Sequence, residues 1–240
     1  MAADHKLGLE DFARRVGAAL GDNLVSLLLF GSEARGTHVA GRSDTNLLLI
    51  VQDASVAALH AAVPVVAEWT RGGQPPPLIF SDAEWRGSTD VFPIEIEDVR
   101  GAHRLLAGRD PFDGVATRRG DLRLELEHEV RGKVLRLRTE YAAAAADGKA
   151  LGRLLAHSAS TFFVLFRAFL RLTGGVPPTG HGALVKETAA AAGLDASAFD
   201  WVLAELEGKS PAPLAPYDPI AGAYLDAMQK LADRVDAMEG

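Results

Sequence analysis

The chain of 240 residues contains no cysteine. Disulfide bonds, thiolate metal ligands and a cysteine nucleophile are therefore excluded. Basic residues are in short supply, with 25 lysines and arginines against 32 aspartates and glutamates, which gives a net charge of −7. This balance argues against an extended nucleic-acid surface, which needs a broad positive field. The seven histidines form no cluster with the spacing of metal ligands.

The sequence also lacks a long hydrophobic run without charges. The most apolar segment, residues 154–172, contains His157, Arg167 and Arg171, so we predict a buried core helix there and not a membrane span. The first ten residues have neither the apolar run nor the cleavage-site pattern of a secretory signal. The sequence thus predicts a cytoplasmic protein with no membrane partner.

The most informative pattern lies in the first half of the chain. The run Leu24–Phe30, apolar apart from Ser26, has the length of a strand that is buried on both faces. Gly31 and Ser32 follow it directly, and a short helix is expected after them. A turn of this kind at the end of a buried strand leaves backbone N–H groups free to bind phosphate oxygens. Gly31 and Ser32 are therefore candidate phosphate-binding residues.

Two polar residues stand at the start of the next apolar run, Asn46–Val51. Asp44 and Asn46 are two positions apart, so on an extended strand their side chains leave the same face. Carboxylate and amide oxygens are both ligands that Mg²⁺ accepts. This face is the candidate metal site, and Ser43 before it is predicted to be a turn residue.

Together the two segments resemble the signature of the DNA polymerase β-like nucleotidyltransferases, in which Gly-Ser is followed, after a short segment, by Asp-x-Asp with apolar flanks. Here the pattern reads Gly31-Ser32 and then Asp44-Thr45-Asn46. The resemblance implies that Gly31 and Ser32 contact the phosphates of ATP or another nucleoside triphosphate. It further implies that Asp44 and Asn46 bind Mg²⁺. Arg35 either steers the triphosphate or pairs with an acidic neighbour.

Members of this family carry a third carboxylate on a later strand, which binds metal or acts as base on the acceptor hydroxyl. The segment Val91–Glu97 reads as that strand, because Ile94 and Ile96 alternate with Glu95 and Glu97. Glu95 is the preferred candidate for metal binding or base catalysis, since it lies between the two isoleucines. Glu97 is the second candidate.

Asn46 departs from the family pattern, because an amide brings no negative charge to a metal ion. Changing even the outer shell of a metal site costs roughly 10–100-fold in affinity or activity, and losing a charged ligand should cost more. Two hypotheses follow. Either the substrate phosphates, with Asp44 and Glu95, retain a metal ion and a slow activity, or catalysis is lost and the protein binds a nucleotide.

The character of the sequence changes after Pro111. Strand patterns occur before this proline, together with a short helix predicted over residues 99–107, and only helical patterns follow Leu122. We predict an α+β protein, with a small mixed-sheet nucleotidyltransferase-like domain over residues 1–112 and an all-helical bundle over residues 113–240. The second half resembles the C-terminal bundle of bacterial aminoglycoside nucleotidyltransferase-like proteins.

The resemblance implies an enzyme that moves a nucleoside monophosphate from a nucleoside triphosphate, with Mg²⁺, to a hydroxyl of a small molecule or a protein. A second hypothesis is a nucleotide-binding or partner-regulating module without turnover. A third is a toxin–antitoxin component that acts on a partner protein. The sequence leaves the acceptor and the base preference open.

Overall fold

The computed structural model describes residues 7–37 and 44–239. The chain divides into two compact units, Met1–Thr117 and Arg118–Gly240. The first unit contains strands and helices, and the described part of the second is helical. This arrangement confirms the predicted α+β class. Ser43, which was predicted to be a turn residue, lies outside the described residues.

The sheet of the first unit has four strands among the described residues: β1 (Leu24–Phe30), β2 (Asn46–Val51), β3 (Leu78–Ser81) and β4 (His103–Gly108). Their order across the sheet is β3-β2-β1-β4. β1 pairs antiparallel with both β2 and β4, while β2 pairs in parallel with β3. β1 and β2 are therefore the central strands, in keeping with their largely apolar sequences.

The described helices of the first unit are α1 (Leu9–Leu20), α2 (Val56–Leu59), α3 (Val63–Arg71), α4 (Asp82–Gly87) and α5 (Pro93–Gly101). On one face of the sheet, Leu27 and Leu49 form a buried cluster with Phe12 and Val16 of α1 and Trp69 of α3. Each such side chain contributes about 1.5–3 kcal/mol when it is fully buried. This cluster fixes the strands that carry the candidate site.

The opposite face of the sheet packs against α4 and α5. Apolar side chains of the central strands and of the two helices form a second buried cluster, which includes Leu28, Leu48, Ile50, Trp85, Ile96 and Val99. The indole N–H of Trp85 donates to the Pro111 carbonyl oxygen at 3.0 Å, so its polar atom is satisfied inside this cluster. α5 is thereby held against the sheet.

The prediction for residues 91–107 is wrong, because the structure reverses the order of the strand and the helix. Most of the residues predicted to be a strand lie in α5, and the residues predicted to be a helix end α5 over 99–101 and form β4 from His103 onward. Pro93 stands in the first turn of α5, where its missing N–H costs no hydrogen bond. Ile94 and Ile96 are both buried in the helix. Over so short a segment their spacing does not distinguish a strand from a buried helix.

The second unit contains five described α-helices: α6 (Arg119–Ala144), α7 (Gly148–Leu172), α8 (His181–Ala192), α9 (Asp200–Leu206) and α10 (Pro219–Asp236). The core helix predicted near residues 154–172 is part of α7, where Phe162 and Phe166 are buried. The Tyr224 hydroxyl lies 3.0 Å from Ser158 Oγ, and burial raises the pKa of this tyrosine above its ordinary value. Among the described residues, no helix has both the length and the apolar character needed to span a membrane.

Candidate functional site

The Gly31–Ser32 turn lies at the end of β1, beside the first residue of β2. Phe30 and Asn46 are partners across the two strands, which places Gly31 next to Asn46. The φ of Gly31 is +84°, in the left-handed region that favours glycine. A Cβ added at Gly31 would lie 3.0 Å from Asn46 Nδ2. The structure thus brings together the predicted phosphate turn and the predicted metal strand, and both the positive φ and the close approach of Asn46 favour glycine at position 31.

Hydrogen bonds within residues 31–37 close this turn. The N–H of Arg35 donates to the Gly31 carbonyl oxygen at 3.1 Å, and the N–H of Thr37 donates to that of Ser32 at 2.9 Å. The expected short helix is therefore a series of hydrogen-bonded turns. Because the later N–H groups are used inside the turn, any N–H groups that bind phosphate belong to its first residues.

Thr45 ties the start of β2 to the turn. Its hydroxyl donates to Glu33 Oε2 at 2.7 Å, and its backbone N–H donates to Gln74 Oε1 at 3.1 Å. Thr45 is buried, whereas Asp44 is exposed and Asn46 is partly exposed. The backbone that carries the two predicted metal ligands is therefore held from both sides. The Asp-x-Asn pattern gave no signal for this role of Thr45.

Arg35 forms an ion pair with Asp98 of α5. Its Nη2 lies 2.7 Å from Asp98 Oδ2, and the two side chains are only 7% and 11% exposed. The same nitrogen donates to the Asp98 backbone carbonyl oxygen at 3.0 Å. Of the two roles that the sequence left open for Arg35, the structure shows the pairing with an acidic residue. Steering of a triphosphate by Arg35 stays a prediction.

Glu95 and Glu97 lie on α5, so the strand that favoured Glu95 as the third carboxylate does not exist. Glu95 is exposed. Glu97 accepts a hydrogen bond from the Thr117 hydroxyl at 2.8 Å, and its Oε1 lies 3.2 Å from Arg100 Nε. Glu97 therefore has structural partners within the first unit. A metal or base role for Glu95 stays a prediction, without the geometry from which it was argued.

The strand next to β2 supplies no carboxylate beside Asn46. β3 consists of Leu78, Ile79, Phe80 and Ser81, and Leu78 is the partner of Leu48. Asp82 follows β3, but Ser81 pairs with Val51, so Asp82 lies toward the opposite end of β2 from Asn46. Its Oδ2 accepts hydrogen bonds from Arg86 and Arg109.

The donor atoms near the turn do not fit a pair of Mg²⁺ ions. Transfer by two metal ions uses several carboxylates that hold both ions and clamp the phosphate. Asp44 supplies one carboxylate here, Asn46 supplies an uncharged amide, and the Glu33 carboxylate accepts the Thr45 hydroxyl. Within residues 7–37 and 44–239, no three His, Cys, Asp or Glu side chains are grouped so as to hold a metal. The predicted Mg²⁺ therefore gains no support from the donor set.

Neither a protein-family model nor a curated protein matches this chain. Its architecture, a mixed sheet unit followed by a helical unit, is nevertheless the fold of a nucleotidyltransferase, as the sequence predicted. A solved structure with this fold is spectinomycin adenyltransferase AAD(9) from Enterococcus faecialis with ATP and spectinomycin. The TM-score is 0.57 and the identity is 11%, over 94% of this chain and 97% of that chain.

Proposed function

We propose that this protein is a nucleotide-binding module, which binds a nucleoside triphosphate at the Gly31–Ser32 turn and transfers no nucleoside monophosphate from it. One observation carries the proposal: the turn lies directly against Asn46, so the predicted phosphate-binding turn adjoins the position at which the resemblance expects a second carboxylate. A protein with this site can bind phosphate oxygens through backbone N–H groups. It lacks the negative charges that would hold the ions for transfer.

The fold supports nucleotide binding. The adenyltransferase with a similar fold was solved with ATP, and the similarity extends over nearly all of both chains. The β1–turn–β2 segment here also has the backbone features that bind anions, a left-handed glycine followed by a hydrogen-bonded turn. We infer that ATP or another nucleoside triphosphate is the ligand.

Calorimetry and a transfer assay on the full chain test this proposal. We expect ATP to bind in calorimetry, and we expect no labelled nucleoside monophosphate to be transferred from α-labelled ATP to a panel of small-molecule hydroxyl acceptors or to the protein itself. Absence of binding by ATP, GTP, CTP and UTP would contradict nucleotide binding. Transfer that disappears in Asp44→Ala would instead establish a transferase.

The transferase is the second candidate function, and two observations favour it. Asp44 is exposed, so its carboxylate is accessible to a ligand. The similar adenyltransferase was solved with spectinomycin as well as ATP, which favours a small-molecule hydroxyl as the acceptor. For this candidate, Asn46→Asp should raise the rate of transfer, because it restores the carboxylate of the family pattern. An unchanged rate in that variant would count against it.

A further inference from the structure

We infer that Asn46 makes this face an anion site, which binds the phosphates of the nucleotide directly and without a divalent cation. This inference rests on the proposed function and specifies that the nucleotide binds without a metal ion. It follows from the position of one side-chain amide and from the partners of the charged groups around it.

The amide of Asn46 is placed to donate to the group that the turn binds. Nδ2 is the Asn46 atom closest to the Cβ position of Gly31, at 3.0 Å, so its N–H donors lie at the turn itself. An amide nitrogen offers two donors, whereas an ionised carboxylate only accepts hydrogen bonds. An aspartate at this position would repel phosphate unless a cation lay between them. An asparagine can contact phosphate with no cation.

The charged residues around the turn are largely engaged with other partners. Arg35 is paired with Asp98, and Glu33 accepts the hydroxyl of Thr45. Asp44 is the exposed carboxylate at the start of β2. Because Asp44 faces water, its repulsion of a bound phosphate is screened by solvent and salt. The donors of the turn and of Asn46 therefore bind phosphate against two carboxylates, that of Glu33, which accepts a hydrogen bond from Thr45, and that of Asp44, which is screened by solvent.

Calorimetric titration of ATP into the full chain, once with excess EDTA and once with excess Mg²⁺, tests the inference. For the natural chain we expect similar dissociation constants under both conditions. Asn46→Asp should weaken binding in EDTA by about 10–100-fold, the cost of losing a hydrogen bond to a charged group, and Mg²⁺ should restore part of the loss. Gln52→Glu is the matched control, because it adds the same charge at an exposed position just after β2, beyond its opposite end. It should leave both dissociation constants unchanged.

Asp44→Asn is a second and independent test, because an anion site and a cation site predict changes of opposite sign in the affinity for ATP in Mg²⁺. At an anion site, removal of the Asp44 charge strengthens ATP binding in EDTA. At a cation site, it weakens ATP binding in Mg²⁺, because the metal ion loses a ligand, whereas at an anion site the gain seen in EDTA persists in Mg²⁺. This variant also decides the question if Asn46→Asp fails to fold.

The outcomes separate the inference from the proposed function. Binding by the natural chain that requires Mg²⁺ would overturn the anion site and leave nucleotide binding intact. Tighter binding of Asn46→Asp in EDTA would also overturn it. No binding by the natural chain under either condition would overturn nucleotide binding itself, and the anion site with it.

Discussion

The two sides of the candidate site are built from different chemistry. On one side, the turn after β1 and the start of β2 are polar and joined by hydrogen bonds through Thr45. On the other side, β3 contributes the apolar residues Leu78 and Phe80, and Asp98 of α5 is paired with Arg35. We propose that the polar side binds the anion, whereas the carboxylate that the described residues place on the other side, that of Asp98, is paired with Arg35. A fold that is shared with a transferase does not ensure that its catalytic donors are present.

The largest expected effect on stability comes from breaking the ion pair between Arg35 of the turn and Asp98 of α5. Asp98→Ala breaks the buried Arg35–Asp98 ion pair by removing its carboxylate. Such a change costs about 3–5 kcal/mol in the free energy of unfolding. Urea denaturation followed by circular dichroism measures this loss.

The control for Asp98→Ala is Asp11→Ala, which removes an exposed pair with Arg14, whose N···O distance is 3.1 Å. Exposed pairs contribute about 0–1 kcal/mol, so this variant should unfold close to the natural midpoint. Equal losses in the two variants would contradict the structural importance of the buried pair.

The isosteric variant Asp98→Asn decides between the two roles of Arg35. If Arg35 serves only to hold the turn on α5, weaker pairing loosens the turn and reduces the affinity for ATP. If Arg35 steers the triphosphate, release from the carboxylate frees its charge, and the affinity rises. We expect the affinity to fall, and calorimetry at a temperature where the variant is fully folded measures its direction.

A comparison of two glycines sharpens the view of the turn. Gly31 and Gly36 both have positive φ, at +84° and +72°, so alanine introduces similar backbone strain at each. An added Cβ meets Asn46 at position 31 but, among the residues that the structure describes, has no heavy atom within 4 Å at position 36. Gly31→Ala should therefore abolish ATP binding, and Gly36→Ala should reduce stability with little effect on the dissociation constant. Equal losses of affinity would show that strain alone, and not contact with Asn46, controls the site.

The sequence predicted the parts of the site in which local pattern and tertiary environment agree. β1 and β2 match the apolar runs from which they were predicted. The contact between Gly31 and Asn46 joins the two motifs that carry the resemblance, but no local pattern predicted the contact itself. The strand prediction around Glu95 was wrong because its two isoleucines alternate with glutamates as in a strand, while a buried helix also accommodates them. The roles of Thr45 and Asp98 depend on contacts between distant residues, Glu33, Gln74 and Arg35, which no local pattern shows.

A smaller effect is expected from the hydrogen bond that positions β2. Thr45→Val keeps the shape of the side chain but removes the hydroxyl that donates to Glu33. The loss of this bond costs about 1–3 kcal/mol in the free energy of unfolding, because a partly buried acceptor loses its donor. The matched variant Thr70→Val removes an exposed hydroxyl that bonds a carbonyl oxygen on its own helix, and it should cost less. Chemical denaturation of both variants compares the two losses directly.

The smallest effect on stability is expected at Glu95, and the neighbouring Glu97 provides the comparison. Glu97→Gln weakens contacts with Thr117 and Arg100 and should lower the midpoint of unfolding slightly. Glu95→Gln changes an exposed side chain and should leave the midpoint unchanged. Because Glu95 lies on a helix and not on a strand beside Asn46, we expect the dissociation constant for ATP to be unchanged as well. A transfer activity that Glu95→Gln abolished at unchanged stability would restore Glu95 as the base and would require α5 to bring it to the bound nucleotide.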